Sequence, residues 1–154
     1  MFMEYYSKRT KLLGKTLFDL LSVALGLFPD YLVNIDCAMG HVVLGHHYPP
    51  CPEPELTLGT TKPSDPDFLF RTIRVDFKFD IKINGLMFVQ CPGHLLSTLG
   101  DLLQLISNDL FKSEEHQVLA NRIGPRVSVA LFFTLHLYPT TRLCGPIKGA
   151  VIRF

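Results

Sequence analysis

Across residues 73–83 every odd-numbered residue is apolar and every even-numbered one is charged: Ile73, Val75, Phe77, Phe79, Ile81 and Ile83 against Arg74, Asp76, Lys78, Asp80 and Lys82. On a helix this order would smear apolar side chains around the whole circumference. On a strand it puts one kind of residue on each face. The run predicts one continuous strand, buried on one side and wet on the other, so its charges are a solvated sheet face. Asn84-Gly85 follows directly. Both residues tolerate positive φ, which predicts a two-residue hairpin turn with residues 86–89 as the returning strand.

A second alternation occupies residues 126–133. Val127, Val129, Leu131 and Phe133 interleave with Ser128, Ala130 and Phe132. In a strand, Arg126 and Ser128 then face the same space. A guanidinium fork beside a hydroxyl suits a carboxylate, because both donate hydrogen bonds and one carries full charge. His116 lies upstream of the turn-forming run 121–125. It is expected on the antiparallel strand neighbouring that of Arg126. One strand would then offer an imidazole and the next an anion clamp. From these residues alone, a surface arginine at a strand start and a core-edge histidine are the favoured reading.

Upstream, residues 3–27 predict one amphipathic helix with Leu13, Leu17, Leu20, Leu21, Ala24 and Leu25 as its buried stripe and Lys8, Arg9, Lys11 and Lys15 on the solvated side. Gly26 and Pro29 end it, and Pro29-Asp30 can open a further helical turn. Residues 39–48 predict a buried strand that runs into a rigid loop, since Pro49, Pro50, Pro52 and Pro54 supply no backbone donors. His46 and His47 are adjacent. Strand neighbours point to opposite faces, so the two do not share a metal site. Cys91-Pro92-Gly93-His94 opens another strand through Leu99, and residues 100–105 turn into a short helix stopped by Asn108-Asp109. His94 is a satisfied or surface histidine.

Composition narrows the function classes. In 154 residues, 47% hydrophobic and 19% charged content supports a sizeable core and argues against disorder. Fifteen basic and 14 acidic residues give a net charge of +1, so there is no electrostatic case for nucleic acid or a membrane surface. Cys37, Cys51, Cys91 and Cys144 have no CxxC spacing, which speaks against a zinc or redox pair and for reduced thiols in the cytoplasm. The apolar run 17–28 contains Asp19 and is too short to span a bilayer. The N-terminus lacks a signal-peptide layout.

Several of these segments occur together and in order: HYPPCPEP at 47–54, LTLGTTKPSD at 56–65, GDLLQLISND at 100–109, His116, and NRIGPRVSVALFF at 121–133. In this combination the chain closely resembles plant 2-oxoglutarate- and Fe(II)-dependent dioxygenases, nearest to 1-aminocyclopropane-1-carboxylate oxidase homologues. The resemblance runs from about residue 3 to about residue 148 and is weakest near 70–98. It implies a mainly β fold with flanking helices, a double-stranded β-helix or jelly roll. Residues 1–38 would form a flanking helical segment and residues 39–154 the oxygenase core. The fold is expected to be incomplete, with an exposed sheet edge open to pairing with another chain.

The resemblance also implies site residues. Arg126 and Ser128 would hold the far carboxylate of 2-oxoglutarate, Tyr48 would contact the same cosubstrate, and His46 would stand on the substrate side. Fe(II) would be held by a facial triad of two histidines and a carboxylate. Asp65 matches the carboxylate and His116 the distal histidine. Pro63 stands where the first histidine belongs, and a proline side chain has no donor atom. The implied chemistry is hydroxylation or desaturation of a small plant metabolite, with 2-oxoglutarate going to succinate and CO₂ and ascorbate as an accompanying reductant. The alternative is a catalytically inactive, truncated remnant.

Overall fold

The computed structural model describes residues 2–57, 66–74, 80–83, 86–89, 95–114, 116–135 and 145–148. Their elements run α1 (Phe2–Ala24), α2 (Tyr31–Asn34), β1 (Gly40–Tyr48), β2 (Leu69–Arg74), β3 (Asp80–Ile83), β4 (Leu86–Val89), β5 (Leu95–Leu99), α3 (Asp101–Ile106), β6 (His116–Val118) and β7 (Arg126–Thr134). The strands form two antiparallel sheets. One has the order β1-β7-β2-β5, the other β4-β3-β6.

The two described ends of the long alternating run pair in different sheets. Its start belongs to β2 in the four-stranded sheet and its end to β3 in the three-stranded sheet, while residues 75–79 lie outside the described residues. Alternation records which side of the backbone a side chain takes. It says nothing of which sheet the backbone joins, so period two survives a crossing between sheets. The hairpin expectation holds: Ile83 pairs with Leu86 and Asp80 with Val89. The Asn84-Gly85 turn itself is outside the described residues.

Helix α1 packs on the outer face of the four-stranded sheet, but not by the predicted stripe. Leu13 and Leu20 are exposed, and the buried line runs through Thr10, Gly14, Phe18, Ser22 and Leu25. The reason is close approach. A Cβ on Gly14 would overlap the Phe133 ring, so only glycine lets the helix sit this near the sheet. Phe18 then meets Phe133 and Phe68 edge-on, with ring centres 5.8 Å and 6.2 Å apart. Leu32, Leu103 and Ile106 complete this core from α2 and α3. Ser22 is buried at no cost because its hydroxyl donates to the Phe18 carbonyl and accepts from the Leu32 N–H. It thereby fixes α2 against α1.

β1 was expected to be buried and is instead half exposed: Leu44, Gly45 and His47 face solvent. Among the described residues it is an end strand, paired only with β7. The turn from β5 into α3 is as expected, with Asn108 and Asp109 both at positive φ after the helix. No helix among the described residues is long and apolar enough to cross a membrane.

Candidate functional site

The two faces of β7 differ in kind. Phe133 points into the helical core and Leu131 is buried on the same side of the strand, whereas Arg126, Ser128 and Ala130 lie on the opposite face and are all buried. Arg126 is 8% exposed and Ser128 4%, so the strand carries a full charge and a hydroxyl out of bulk water. The pairing of β1 with β7 sets Tyr48 across from Arg126 and His46 across from Ser128. Register therefore brings the four residues onto one patch, as the alternation had predicted for the two on β7. Arg74 of β2 occupies the rung beside Ser128.

Contacts within the patch form a stack. The Arg126 guanidinium carbon lies 4.6 Å from the Tyr48 ring centre. The His46 ring also stacks with Tyr48, its centre 5.9 Å away and the planes 29° apart. Arg126 Nη2 donates to the Leu119 carbonyl, which ties β7 to the chain just beyond β6. Between the sheets, Val118 packs with Tyr48 and Leu96. The arginine is thus oriented from several directions, which a donor fork needs if it is to meet a planar carboxylate.

Two loops close the end of this patch. Pro49 and Pro50 stop β1, and the chain then crosses to the loop before β7, where Cys51 N–H donates to the Asn121 carbonyl at 2.8 Å. Arg122 pairs with Glu55 at 2.7 Å across the same gap. The second loop is shaped locally: Asn121 Oδ1 accepts from the Ile123 N–H, and Gly124 adopts φ of 60° before Pro125. Between the loops lies a cavity of about 330 Å³ that reaches Tyr48 and Arg126.

The predicted metal residues fare differently. Asp65 and Pro63 lie outside the described residues, as does His94. His116 opens β6, opposite Ile83 of β3. It was expected on a strand beside β7, but β6 belongs to the other sheet, and the neighbours of β7 are β1 and β2. The 121–125 turn does not fold the chain straight back; it carries it from one sheet to the other. Among the described residues no group of three His, Cys, Asp or Glu side chains is placed to hold a metal ion. His47, beside His46, is on the exposed face. The stack on Tyr48 was not read from the sequence; the alternation of residues 44–48 together with a guess at the β1–β7 register would have been needed to find it.

Comparison with known proteins bears on the same region. Residues 39–135 match the family model of the 2OG-Fe(II) oxygenase superfamily. The chain is 50% identical over 152 residues to 1-aminocyclopropane-1-carboxylate oxidase homolog 1 of Arabidopsis thaliana, covering 93% of this chain and 40% of that protein. It is 48% identical over 159 residues to deacetoxyvindoline 4-hydroxylase of Catharanthus roseus, covering 95% of this chain and 38% of that one. The chain thus spans about 40% of the length of the curated relatives it matches. Among solved structures, JOX2 in complex with 2OG, Fe and JA superposes with a TM-score of 0.83 at 27% identity, over 95% of this chain and 44% of JOX2. The 2-oxoglutarate complex of the dioxygenase for auxin oxidation 1 from Arabidopsis thaliana shares the fold, with a TM-score of 0.76 at 22% identity over 92% of this chain and 53% of that one.

Proposed function

Since this chain belongs to the 2-oxoglutarate- and Fe(II)-dependent oxygenase superfamily, we propose that it holds 2-oxoglutarate at Arg126 and Ser128 and serves the oxidation of a small molecule. The reaction would be a hydroxylation or desaturation, with succinate and CO₂ as coproducts. The observation that supports this reading is the buried pair Arg126 and Ser128 on one face of β7, with Tyr48 stacked against the guanidinium. In this reading residues 39–154 are the jelly-roll core and residues 1–38 its flanking helical segment.

The roles follow from the donors. Arg126 offers N–H groups and charge to the distal carboxylate, and the Ser128 hydroxyl donates beside it. Burial strengthens both interactions, because little water competes for the carboxylate. Tyr48 keeps the guanidinium plane from rotating, and His46 flanks Tyr48 on the side left for substrate. Fe(II), when bound, supplies oxygen activation, with Asp65 and His116 as the residues that would hold it.

Pro63 favours a second reading. Where the family motif has a histidine, this chain offers no side-chain donor and no backbone N–H. Two protein ligands would remain of the three in a facial triad. The chain would then bind 2-oxoglutarate without turning it over.

Anaerobic titration with Fe(II) and 2-oxoglutarate, on the wild type and on Pro63→His in parallel, separates the two. The oxygenase reading expects the visible metal-to-ligand charge-transfer band in the wild type. A band only in Pro63→His means that the missing ligand disables an otherwise competent site. No band in either, together with no stabilisation by 2-oxoglutarate alone, sinks the cosubstrate assignment.

A further inference from the structure

The cavity between the two loops does not coincide with the Arg126 and Ser128 face. Its wall takes in Arg126 and Tyr48, but neither Ser128 nor His46 belongs to it. It reaches the arginine from the loop end, past Pro49, Pro50 and Pro52 on one side and Asn121 and Gly124 on the other. We propose that this cavity is a separate binding site for a small monocarboxylate with a flat apolar body, such as an aromatic acid.

Three features carry the assignment. The walls are mostly apolar and built of rigid proline rings, which accept a flat hydrophobic ligand at little entropic cost. The wall includes a buried cation, Arg126, and a guanidinium favours a carboxylate over a neutral polar group because it is always charged and its fork matches the carboxylate plane. The volume, about 330 Å³, lies at the small end of ligand pockets, which suits one ring and its acid group rather than an extended molecule. The loops are held in place without a ligand by the Cys51–Asn121 and Arg122–Glu55 contacts, so the site is preformed. A ligand here would share Arg126 with the Ser128 face and so compete with an anion bound there.

Cys51 provides the reporter. Its thiol lines the cavity, is partly exposed, and donates to Thr57 Oγ1 at 3.3 Å, whereas Cys37 is fully buried. The alkylation rate of Cys51 with iodoacetamide, followed by peptide mass spectrometry on the full chain, is measured against rising benzoate and, separately, benzyl alcohol. Saturable protection by benzoate, several-fold stronger than that by benzyl alcohol, is the expected result. Arg126→Gln should remove it. Asn121→Asp should also remove it while leaving Arg126 in place, since the aspartate keeps an acceptor for the Ile123 N–H but adds a negative charge to the cavity wall. Ser128→Ala should leave benzoate protection intact.

Equal protection by the alcohol, persistence of protection in Asn121→Asp, or no protection at all overturns the proposal. A thermal-shift titration with 2-oxoglutarate on the same proteins keeps the two sites apart. A normal 2-oxoglutarate shift without benzoate protection removes only the cavity assignment. Benzoate protection without a 2-oxoglutarate shift supports the cavity and removes only the cosubstrate reading.

Discussion

The guanidinium carbon of Arg126 sits 4.6 Å from the centre of the Tyr48 ring, across one rung of the β1–β7 ladder. A cation over an aromatic face out of bulk water contributes about 2 kcal/mol. Replacing Tyr48 by Leu keeps apolar volume but removes the ring's negative face. We expect 2-oxoglutarate affinity to fall about 30-fold by calorimetry, following the affinity equivalent of such a loss. Tyr48→Phe should retain most of the binding if the ring is what orients the guanidinium. An equal loss in both variants would mean that the hydroxyl matters and the stack does not.

Arg126→Lys keeps the charge and discards the fork. A hydrogen bond to a charged group contributes about 1.5–3 kcal/mol, so loss of bidentate geometry should weaken 2-oxoglutarate about 10- to 100-fold. Ser128→Ala removes one neutral donor and should cost less, about 1 kcal/mol. Titration of both variants beside the wild type checks the order. Equal affinity of the lysine variant and the wild type would show that charge alone suffices.

Gly14 lets α1 approach Phe133, a ring already fixed by the edge of Phe18 and by His41 at 5.2 Å. On an exposed helix Gly→Ala would stabilise by about 1 kcal/mol. Here the added methyl must displace a fully buried ring, and overpacking of this kind costs about 1–3 kcal/mol. The expected net effect is a lower Tm in thermal unfolding. A raised Tm would show that the helix is not held this close.

His41 lies under α1 with Nδ1 3.4 Å from the Ser7 hydroxyl, and Nε2 is buried without a hydrogen-bond partner among the described residues. Burial, and then the positive charge of Lys11, push its pKa below the usual histidine value of 6.5. Between the folded and unfolded pKa the unfolded chain binds more protons, so stability rises with pH there. The contribution is therefore present above pH 6.5 and is lost as pH falls through that value toward the lower folded pKa. His41→Phe should flatten this part of the stability profile in urea unfolding at stepped pH. An unchanged slope would assign the acid sensitivity to another group.

Much of the site was legible because strand alternation is local. Residues that differ by two along β7 share a face whatever the fold, so Arg126 and Ser128 could be paired from the sequence, as could the hairpin of β3 and β4. The helix face was misread for the opposite reason. Leucine content marked Leu13 and Leu20 as core, but burial followed Gly14, a residue with no side chain, because the sheet surface was shaped to receive a bare backbone.

What the sequence determined by itself is the menu of elements and the sidedness of each strand, both properties of neighbouring residues. Only the tertiary structure decided that residues 73–74 and 80–83 pair in different sheets, that β6 belongs to the other sheet than β7, and that Tyr48 meets Arg126. Those depend on which strands exchange hydrogen bonds over long separations in the chain. Backbone donors and acceptors are alike at every residue but proline, so pairing is chosen by the packing of whole faces and is not written at any one position.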